Sequence, residues 1–159
     1  LTEGLKALGL MKGNVEDAVY HGAHAMFFQC GLGHMLGLDV HDMEDLGEQY
    51  VGYTEELRKS TQFGLKSLRL GKALEKDFVL TIEPGIYFIP ELIDLWQGEN
   101  RHTDYIDYKN VLKYRNFGGI RVEDNFVIAA DGAQILGKPL PVTTDEIENV
   151  RNMSLKGDS

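Results

Sequence analysis

Three short segments, far apart along the chain, each place an ionisable side chain among small or β-branched residues. His34 lies in Gly-His-Met-Leu-Gly, Glu83 in Thr-Ile-Glu-Pro-Gly, and Glu123 in Arg-Val-Glu-Asp-Asn. A polar side chain is costly to bury unless it has a partner. One imidazole and two carboxylates form a donor set that suits Mn²⁺, Co²⁺ or Zn²⁺. The segments therefore predict a metallohydrolase centre, provided that the fold brings them together.

Each of these residues also has a purely structural interpretation, and spacing alone leaves both open. A histidine in an apolar strand is commonly a core residue bonded to the backbone, although Gly33 and Gly37 leave room for a ligand. Glu83 ends an apolar strand, where a solvent-exposed carboxylate is as plausible as one held by metal. Glu123 shares a strand face with Arg121, so the two form either a surface ion pair or a metal-bridging carboxylate beside a substrate-holding arginine.

A second histidine, His41, follows Leu-Asp-Val and has the opposite strand parity from His34. Both histidines reach one site only if the chain bends near Gly37. In that case His41 could orient a substrate or stabilise an oxyanion as it forms. Otherwise it is a surface histidine between two aspartates.

Composition narrows the class of protein. The chain has 159 residues, of which 43% are hydrophobic and 26% charged, which is typical of one globular domain with a core. A net charge of −9 argues against nucleic acid or an anionic membrane as the main partner. We expect neither a membrane-spanning stretch nor a secretory leader. The one cysteine, Cys30, excludes an internal disulfide, and we therefore expect a cytoplasmic location.

Periodicity, turn signals and capping signals predict the elements that must position these residues. We expect helices over residues 1–10 and 15–25, a strand-like run over 31–37, strands over 78–82, 86–89 and 120–128, a long polar and aromatic insertion over 89–117, a hairpin turn over 130–133, and a last helix from the capping box at 143–146 to about 151. The stretch 42–76 is polar and irregular. This order of elements favours an α+β domain with a curved antiparallel sheet.

At the three segments the chain resembles the pita-bread metallopeptidases, specifically the Xaa-Pro aminopeptidase and prolidase branch. The matching runs are Gly-Leu-Gly-His-Met-Leu-Gly-Leu-Asp-Val-His-Asp, Leu-Thr-Ile-Glu-Pro-Gly-Ile-Tyr and Gly-Ile-Arg-Val-Glu-Asp-Asn, within a likeness from about residue 25 to 136. The resemblance implies the C-terminal half of a pita-bread (creatinase/aminopeptidase-like) domain, with a curved, mostly antiparallel sheet and flanking helices. On this basis, residues 1–159 are the C-terminal part of a catalytic domain whose upstream half and N-terminal domain are absent.

The resemblance also implies roles for individual residues. His34 corresponds to the only imidazole metal ligand, Glu83 to a ligand that also handles the proton during turnover, and Glu123 to the carboxylate that bridges two ions. His41 corresponds to a histidine near the scissile carbonyl, and Arg121 to the arginine beside the bridging glutamate. The implied cofactors are two divalent ions, with Mn²⁺ expected and Co²⁺ or Zn²⁺ as alternatives. Together they would activate the water that attacks the bond before proline.

The chain departs from the family pattern in three places. No pair of aspartate ligands precedes His34, because Asp17 falls in a predicted helix. Cys30 replaces a histidine that members often carry four residues before the ligand histidine, so it is either a small buried hydrophobe or part of an altered substrate pocket. A turn commonly written Pro-Gly is Lys-Asp at residues 76–77, which we expect to be harmless. With three ligands, the isolated chain is expected to bind metal weakly and to be inactive.

The leading hypothesis is a metal-dependent Xaa-Pro aminopeptidase that acts on peptides with proline at the second position. Prolidase (Xaa-Pro dipeptidase) is the alternative within the same chemistry. A metal-free pita-bread binding module is an alternative of a different class, and methionine aminopeptidase fits the Leu-Asp-Val-His-Asp run and Arg121 less well. We expect the full-length protein to be a homo-oligomer, a dimer, with no nucleic-acid or membrane partner.

Overall fold

The computed structural model describes residues 1–157, which form α-helices, short 3-10 helices and β-strands. The α-helices are α1 (Thr2–Ala7), α2 (Val15–Tyr20), α3 (Glu48–Val51), α4 (Pro90–Gly98), α5 (Tyr108–Val111) and α6 (Thr144–Gly157). The 3-10 helices are Ala23–Met26, Glu44–Leu46, Leu65–Ser67 and Leu112–Tyr114. The strands are β1 (Val79–Ile82), β2 (Gly85–Phe88), β3 (Gly118–Arg121), β4 (Asp124–Ala129) and β5 (Gly132–Ile135). Within residues 1–157, no helix has the length and apolarity needed to cross a bilayer.

The strands form two small antiparallel sheets. The chain passes from one sheet to the other between β1 and β2 and again between β3 and β4. One sheet has the order β1-β4-β5 and the other pairs β2 with β3. In the register, Ile82 faces Asp124 and Gly85 faces Arg121. Two residues, 83–84, separate β1 from β2, and two residues, 122–123, separate β3 from β4. These two interruptions of the strands therefore lie opposite each other. This placement brings the backbone that carries Glu83 next to the backbone that carries Glu123.

The expected continuous strand over residues 120–128 is wrong, because the chain leaves the ladder at residues 122–123. The amide of Val122 donates to the carbonyl of Pro84 over 3.1 Å, so the two breaks are held together. Pro84 has no backbone N–H to continue a regular ladder at this level. Glu123 consequently lies between β3 and β4 rather than within a strand.

The segment around His34 runs along β1 without being a regular strand, in contrast to the strand-like run that was expected. Its pairing includes a single antiparallel bridge between Met35 and Leu80, and the amide of Thr81 donates to the carbonyl of His34 over 2.9 Å. Gly33 makes the approach possible, since a Cβ atom there would lie 2.1 Å from the carbonyl oxygen of Thr81. Glycine is thus required by close backbone contact.

The insertion over residues 89–117 is helical and supplies part of the core. Pro90 occupies the first turn of α4, where its missing N–H is tolerated. Ile93 and Trp96, three residues apart, face inward and are 1% and 3% exposed. They pack with the buried side chains of Leu5, Leu10, Met11, Met26, Phe27, Phe88, Ile106 and Val111. This segment therefore builds the body that supports the site.

The predicted capping box at residues 143–146 is confirmed, but two helices differ in length from the prediction. The side chain of Asn14 accepts a hydrogen bond from the amide of Asp17, and α2 then ends at Tyr20 instead of residue 25, because Gly22 adopts a φ of +80°. The Thr143 hydroxyl accepts from the Glu146 amide over 3.3 Å, and α6 continues to Gly157, beyond the expected end at 151. The β4–β5 hairpin forms as expected.

Candidate metal centre

The three predicted metal ligands converge in the structure. One possible ligand atom from each of His34, Glu83 and Glu123 lies within 4.8 Å of the other two. His34 and Glu83 are buried, whereas Glu123 is exposed at the edge of the cluster. Across the described part of the chain, this is the group of three such side chains close enough to share one ion. Residues separated by 49 and 40 positions in sequence thus form one centre.

His34 is oriented for metal binding by the backbone of the following residue, Met35. Its Nδ1 atom lies 3.0 Å from the carbonyl oxygen of Met35, which accepts a hydrogen bond when Nδ1 carries the proton. That tautomer leaves the lone pair of Nε2 available, and Nε2 faces Glu83 Oε1 at 3.4 Å. A ring nitrogen fixed by a carbonyl is the usual arrangement for a metal-binding histidine.

Glu83 is held by groups on both of its carboxylate oxygens. The hydroxyl of Thr81 donates to Oε1 over 3.1 Å, and the same hydroxyl accepts from the backbone N–H of His34 over 3.0 Å. The guanidinium of Arg121 pairs with Oε2 through Nη1. Glu83 is 7% exposed, so this carboxylate is buried but not isolated. Sequence reasoning missed Thr81, although its position two residues before Glu83 places it on the same strand face.

Arg121 links Glu83 to two further side chains. Its Nε donates to the hydroxyl of Tyr87 over 2.6 Å, and its Nη2 lies 3.3 Å from Sγ of Cys30. The hydrogen bond to Tyr87 is the main reason that the pKa of Arg121 lies above its usual value, and the negative charge of Glu83 adds to the effect. The arginine is therefore a permanent cation beside the cluster. Tyr87 was not singled out from the sequence, where it reads as an ordinary strand aromatic.

His41 lies beside the cluster of His34, Glu83 and Glu123, so the chain makes the bend near Gly37 that this placement needs. The rings of His34 and His41 meet edge to face with centroids 4.4 Å apart. The bend is closed by Asp42, whose carboxylate accepts from the amide of Leu38 over 3.1 Å. The His41 side chain is 49% exposed, so it borders the cluster from the solvent side.

One acidic side chain connects His41 to a second cation near the centre. Glu44 Oε2 lies 3.9 Å from His41 Nδ1 and 3.3 Å from Arg69 Nη1. Both the Glu44 and Arg69 side chains are partly buried, at 20% and 34% exposed. The carboxylate of Glu44 therefore lies between the imidazole of His41 and the positive charge of Arg69.

The donor set fits a divalent ion. An imidazole nitrogen with a free lone pair and two carboxylates match the preferences of Mn²⁺, Co²⁺ or Zn²⁺. The ordinary reading of His34 as a histidine bonded only to backbone does not explain why two carboxylates also lie within 4.8 Å of it. A shared cation would offset the negative charge of Glu83 and Glu123 at this spacing.

Comparison with known proteins identifies the family. The model of metallopeptidase family M24 matches residues 3–130. The chain is 38% identical over 146 residues to an Xaa-Pro dipeptidase of Rattus norvegicus, covering 92% of the chain and 28% of the relative. It is 36% identical over 148 residues to a probable Xaa-Pro aminopeptidase of Phaeosphaeria nodorum, covering 93% of the chain and 30% of the relative.

A solved structure supports the same assignment. The structure of aminopeptidase P from Escherichia coli with the inhibitor Pro-Leu matches with a TM-score of 0.63 and 30% identity, over 98% of this chain and 27% of that one. The predicted pita-bread fold, with antiparallel sheets and flanking helices, is thereby confirmed. The chain spans less than a third of the length of these proteins. The chain belongs to metallopeptidase family M24.

Proposed function

We propose that the protein containing this chain is a metal-dependent Xaa-Pro aminopeptidase, which hydrolyses the bond between an N-terminal residue and proline. The observation that carries the proposal is the convergence of His34, Glu83 and Glu123 within 4.8 Å. Support for the substrate class comes from the family and from the match to aminopeptidase P. A binding module without metal has no need for three converging ionisable groups.

The residues present would hold metal through His34 Nε2 and the carboxylates of Glu83 and Glu123. When bound, two divalent ions, with Mn²⁺ as the first candidate, would lower the pKa of a shared water and stabilise negative charge on the substrate carbonyl. Three side chains are too few to complete two coordination spheres. We therefore infer that further ligands come from elsewhere in the protein.

The chain's own residues have separable roles in this proposal. Glu83 is positioned to accept and return a proton, because Thr81 and Arg121 fix its carboxylate. His41, at the solvent side of the cluster, can donate a hydrogen bond to the carbonyl oxygen of the scissile bond. Arg121 keeps Glu83 in place and adds positive charge beside the reacting group.

Xaa-Pro dipeptidase activity is the second candidate, and one contact favours it. Arg69 approaches the centre through Glu44, which contacts both Arg69 and His41. The proline of a dipeptide ends in a free carboxylate only one residue from the scissile bond, so a cation near His41 could bind that group. The match to the rat Xaa-Pro dipeptidase supports the same candidate.

The two candidates are separated by substrate length. The intact protein, reconstituted with Mn²⁺, is assayed with an Xaa-Pro-Yaa tripeptide, an Xaa-Pro dipeptide and an Xaa-Ala-Yaa control. Aminopeptidase activity predicts release of the first residue from the tripeptide and little release from the alanine control. Cleavage of the dipeptide alone would establish the dipeptidase, and cleavage of neither would favour a binding module. Glu83→Gln should lower the rate by about 10²-fold or more.

A further inference from the structure

The carboxylate of Glu44 occupies the place beside Arg69 and His41 that the carboxylate of a bound dipeptide would need. Its Oε2 atom lies 3.3 Å from Nη1 of Arg69 and 3.9 Å from Nδ1 of His41. Nη1 of Arg69 forms no hydrogen bond of normal geometry. The contact between Glu44 and Arg69 is therefore an ion pair without a directional bond, and a substrate carboxylate that makes a better bond can replace it.

A short 3-10 helix, Glu44–Leu46, fixes this carboxylate next to His41. The amide of Glu44 donates to the carbonyl of His41 over 3.3 Å, which closes a turn of four residues. The amide of Gly47 donates to the carbonyl of Glu44 over 2.9 Å and extends the helix. The proximity of the His41 and Glu44 side chains is thus built into the backbone, and the ion pair with Arg69 is added to it.

Close contacts hold the backbone of Arg69 in place from two sides. A Cβ atom at Gly52 would lie 1.9 Å from the carbonyl oxygen of Arg69, and one at Gly31 would lie 3.4 Å from its Cγ atom. The amide of Gly71 also donates to the carbonyl of Gly52 over 2.6 Å. Within residues 1–157, Glu44 supplies the carboxylate that pairs with the Arg69 guanidinium. A substrate carboxylate that binds Arg69 therefore meets Glu44 there.

We propose that Glu44 is a specificity-determining residue, which disfavours substrates that end in a carboxylate directly after proline. A dipeptide competes with Glu44 for Arg69 and brings a second negative charge to the same place, where like charges repel. A longer peptide carries a neutral amide at this point and meets neither cost. Glu44 therefore shifts the preference of the site from Xaa-Pro dipeptides toward longer peptides. This inference rests on the proposed function, because it places the scissile bond beside His41.

A purely structural role of Glu44 has a different kinetic consequence. If the carboxylate served only to orient His41, its removal would lower kcat for every substrate, because His41 is placed next to the scissile carbonyl. If it competes with the substrate carboxylate, its removal lowers KM for the charged substrate and leaves kcat nearly unchanged. The charge at the end of the substrate therefore separates the two roles.

The experiment compares Ala-Pro with Ala-Pro amide as substrates of the intact protein reconstituted with Mn²⁺. The two compounds share the scissile bond and differ in the charge of the C-terminus. We expect Glu44→Gln to lower KM for Ala-Pro about tenfold and KM for the amide by less than about twofold. The kcat for each compound should stay within about twofold of the parent value.

Two variants serve as controls. Asp45→Asn removes the same charge from the exposed neighbour of Glu44 on the same 3-10 helix, and it should change each KM by less than about twofold. Arg69→Gln removes the cation for which the two carboxylates compete. In that background, Glu44→Gln should lower KM for Ala-Pro by less than about threefold, because the effects of interacting residues are not additive.

Three results would overturn the proposal: an equal change of KM for both compounds, an effect of Asp45→Asn as large as that of Glu44→Gln, or a loss of kcat for both compounds. Hydrolysis of neither compound by the parent would instead count against the proposed function. The role of Glu44 is then decided by chemical-shift titration of the metal-free intact protein with the same two compounds. Glu44→Gln should tighten the binding of Ala-Pro alone, and an equal effect on both compounds, or none, would contradict its role.

Discussion

The hydroxyl of Thr81, which is 1% exposed, donates a hydrogen bond to Glu83 and thereby orients a candidate metal ligand. The same oxygen accepts from the His34 amide. Thr81→Val keeps the shape but removes both bonds, so we expect Mn²⁺ affinity to fall about tenfold or more. Thr81→Ser retains the hydroxyl and should lose much less affinity. Calorimetry of both variants tests the point, and equal losses would contradict it.

Close backbone contact at Gly33 predicts a large effect of a single methyl group. A Cβ atom there would collide with the carbonyl of Thr81, whereas a Cβ atom at Gly98 meets no atom within 4 Å. Gly33→Ala should lower the free energy of unfolding by about 2–3 kcal/mol. Gly98→Ala, in helix α4, should raise it by about 0.5 kcal/mol. Urea titration of the two variants compares them directly, and a tolerated Gly33→Ala would refute the contact.

The turn before β1 carries backbone strain at Asp77, which has a φ of +71°. The left-handed region costs non-glycine residues about 1–2 kcal/mol, partly offset by the flexibility that glycine adds to the unfolded chain. Asp77→Gly should therefore raise the free energy of unfolding by about 0.5 kcal/mol. Asp131→Gly is the matched control, since Asp131 is not among the residues with positive φ. If Asp131→Gly raised the free energy of unfolding as much as Asp77→Gly, backbone strain at Asp77 would not explain the gain.

Acidification should destabilise the protein through His24 and His102. Burial is the main cause that lowers the pKa of each ring below 6.5 in the folded state. The unfolded chain therefore binds more protons as the pH falls below about 6.5, and stability is lost from that point downward. His24→Gln and His102→Gln should each reduce the loss between pH 7.5 and 5, measured by urea unfolding at both values. Variants that lose as much stability as the parent would contradict this account.

The sequence predicted which three candidate ligands converge better than it predicted the elements that carry them. His34, Glu83 and Glu123 stood out because charged or polar residues in apolar runs need a partner. The break between β3 and β4 was missed, because the run from Ile120 to Ile128 is uniformly β-prone and the opposite break at Pro84 is set by tertiary pairing. The local sequence pattern of one strand does not indicate which other strand will pair with it in the sheet.

Other differences have the same origin in long-range contact. Residues 89–117 were predicted only as a long polar and aromatic insertion, without the bounds of its helices. Spaced apolar side chains such as Ile93 and Trp96 bury one face of helix α4 against residues from the start of the chain. The hydrogen bond from the His34 amide to the Thr81 hydroxyl joins positions 47 apart in the sequence, so neither segment alone predicts it. Cys30 was noticed only as a departure from the family pattern, and its contact with Arg121 emerged from the fold.

The most direct test of the account is a count of bound metal in the intact protein. After reconstitution with Mn²⁺ and removal of excess ion, elemental analysis should find bound metal in the parent. His34→Ala and Glu123→Gln should each lose at least one ion per chain, whereas Glu148→Gln, an exposed carboxylate on helix α6, should bind as the parent does. A parent protein without metal, or ligand variants that retain the full amount, would contradict the claim that these residues share a cation.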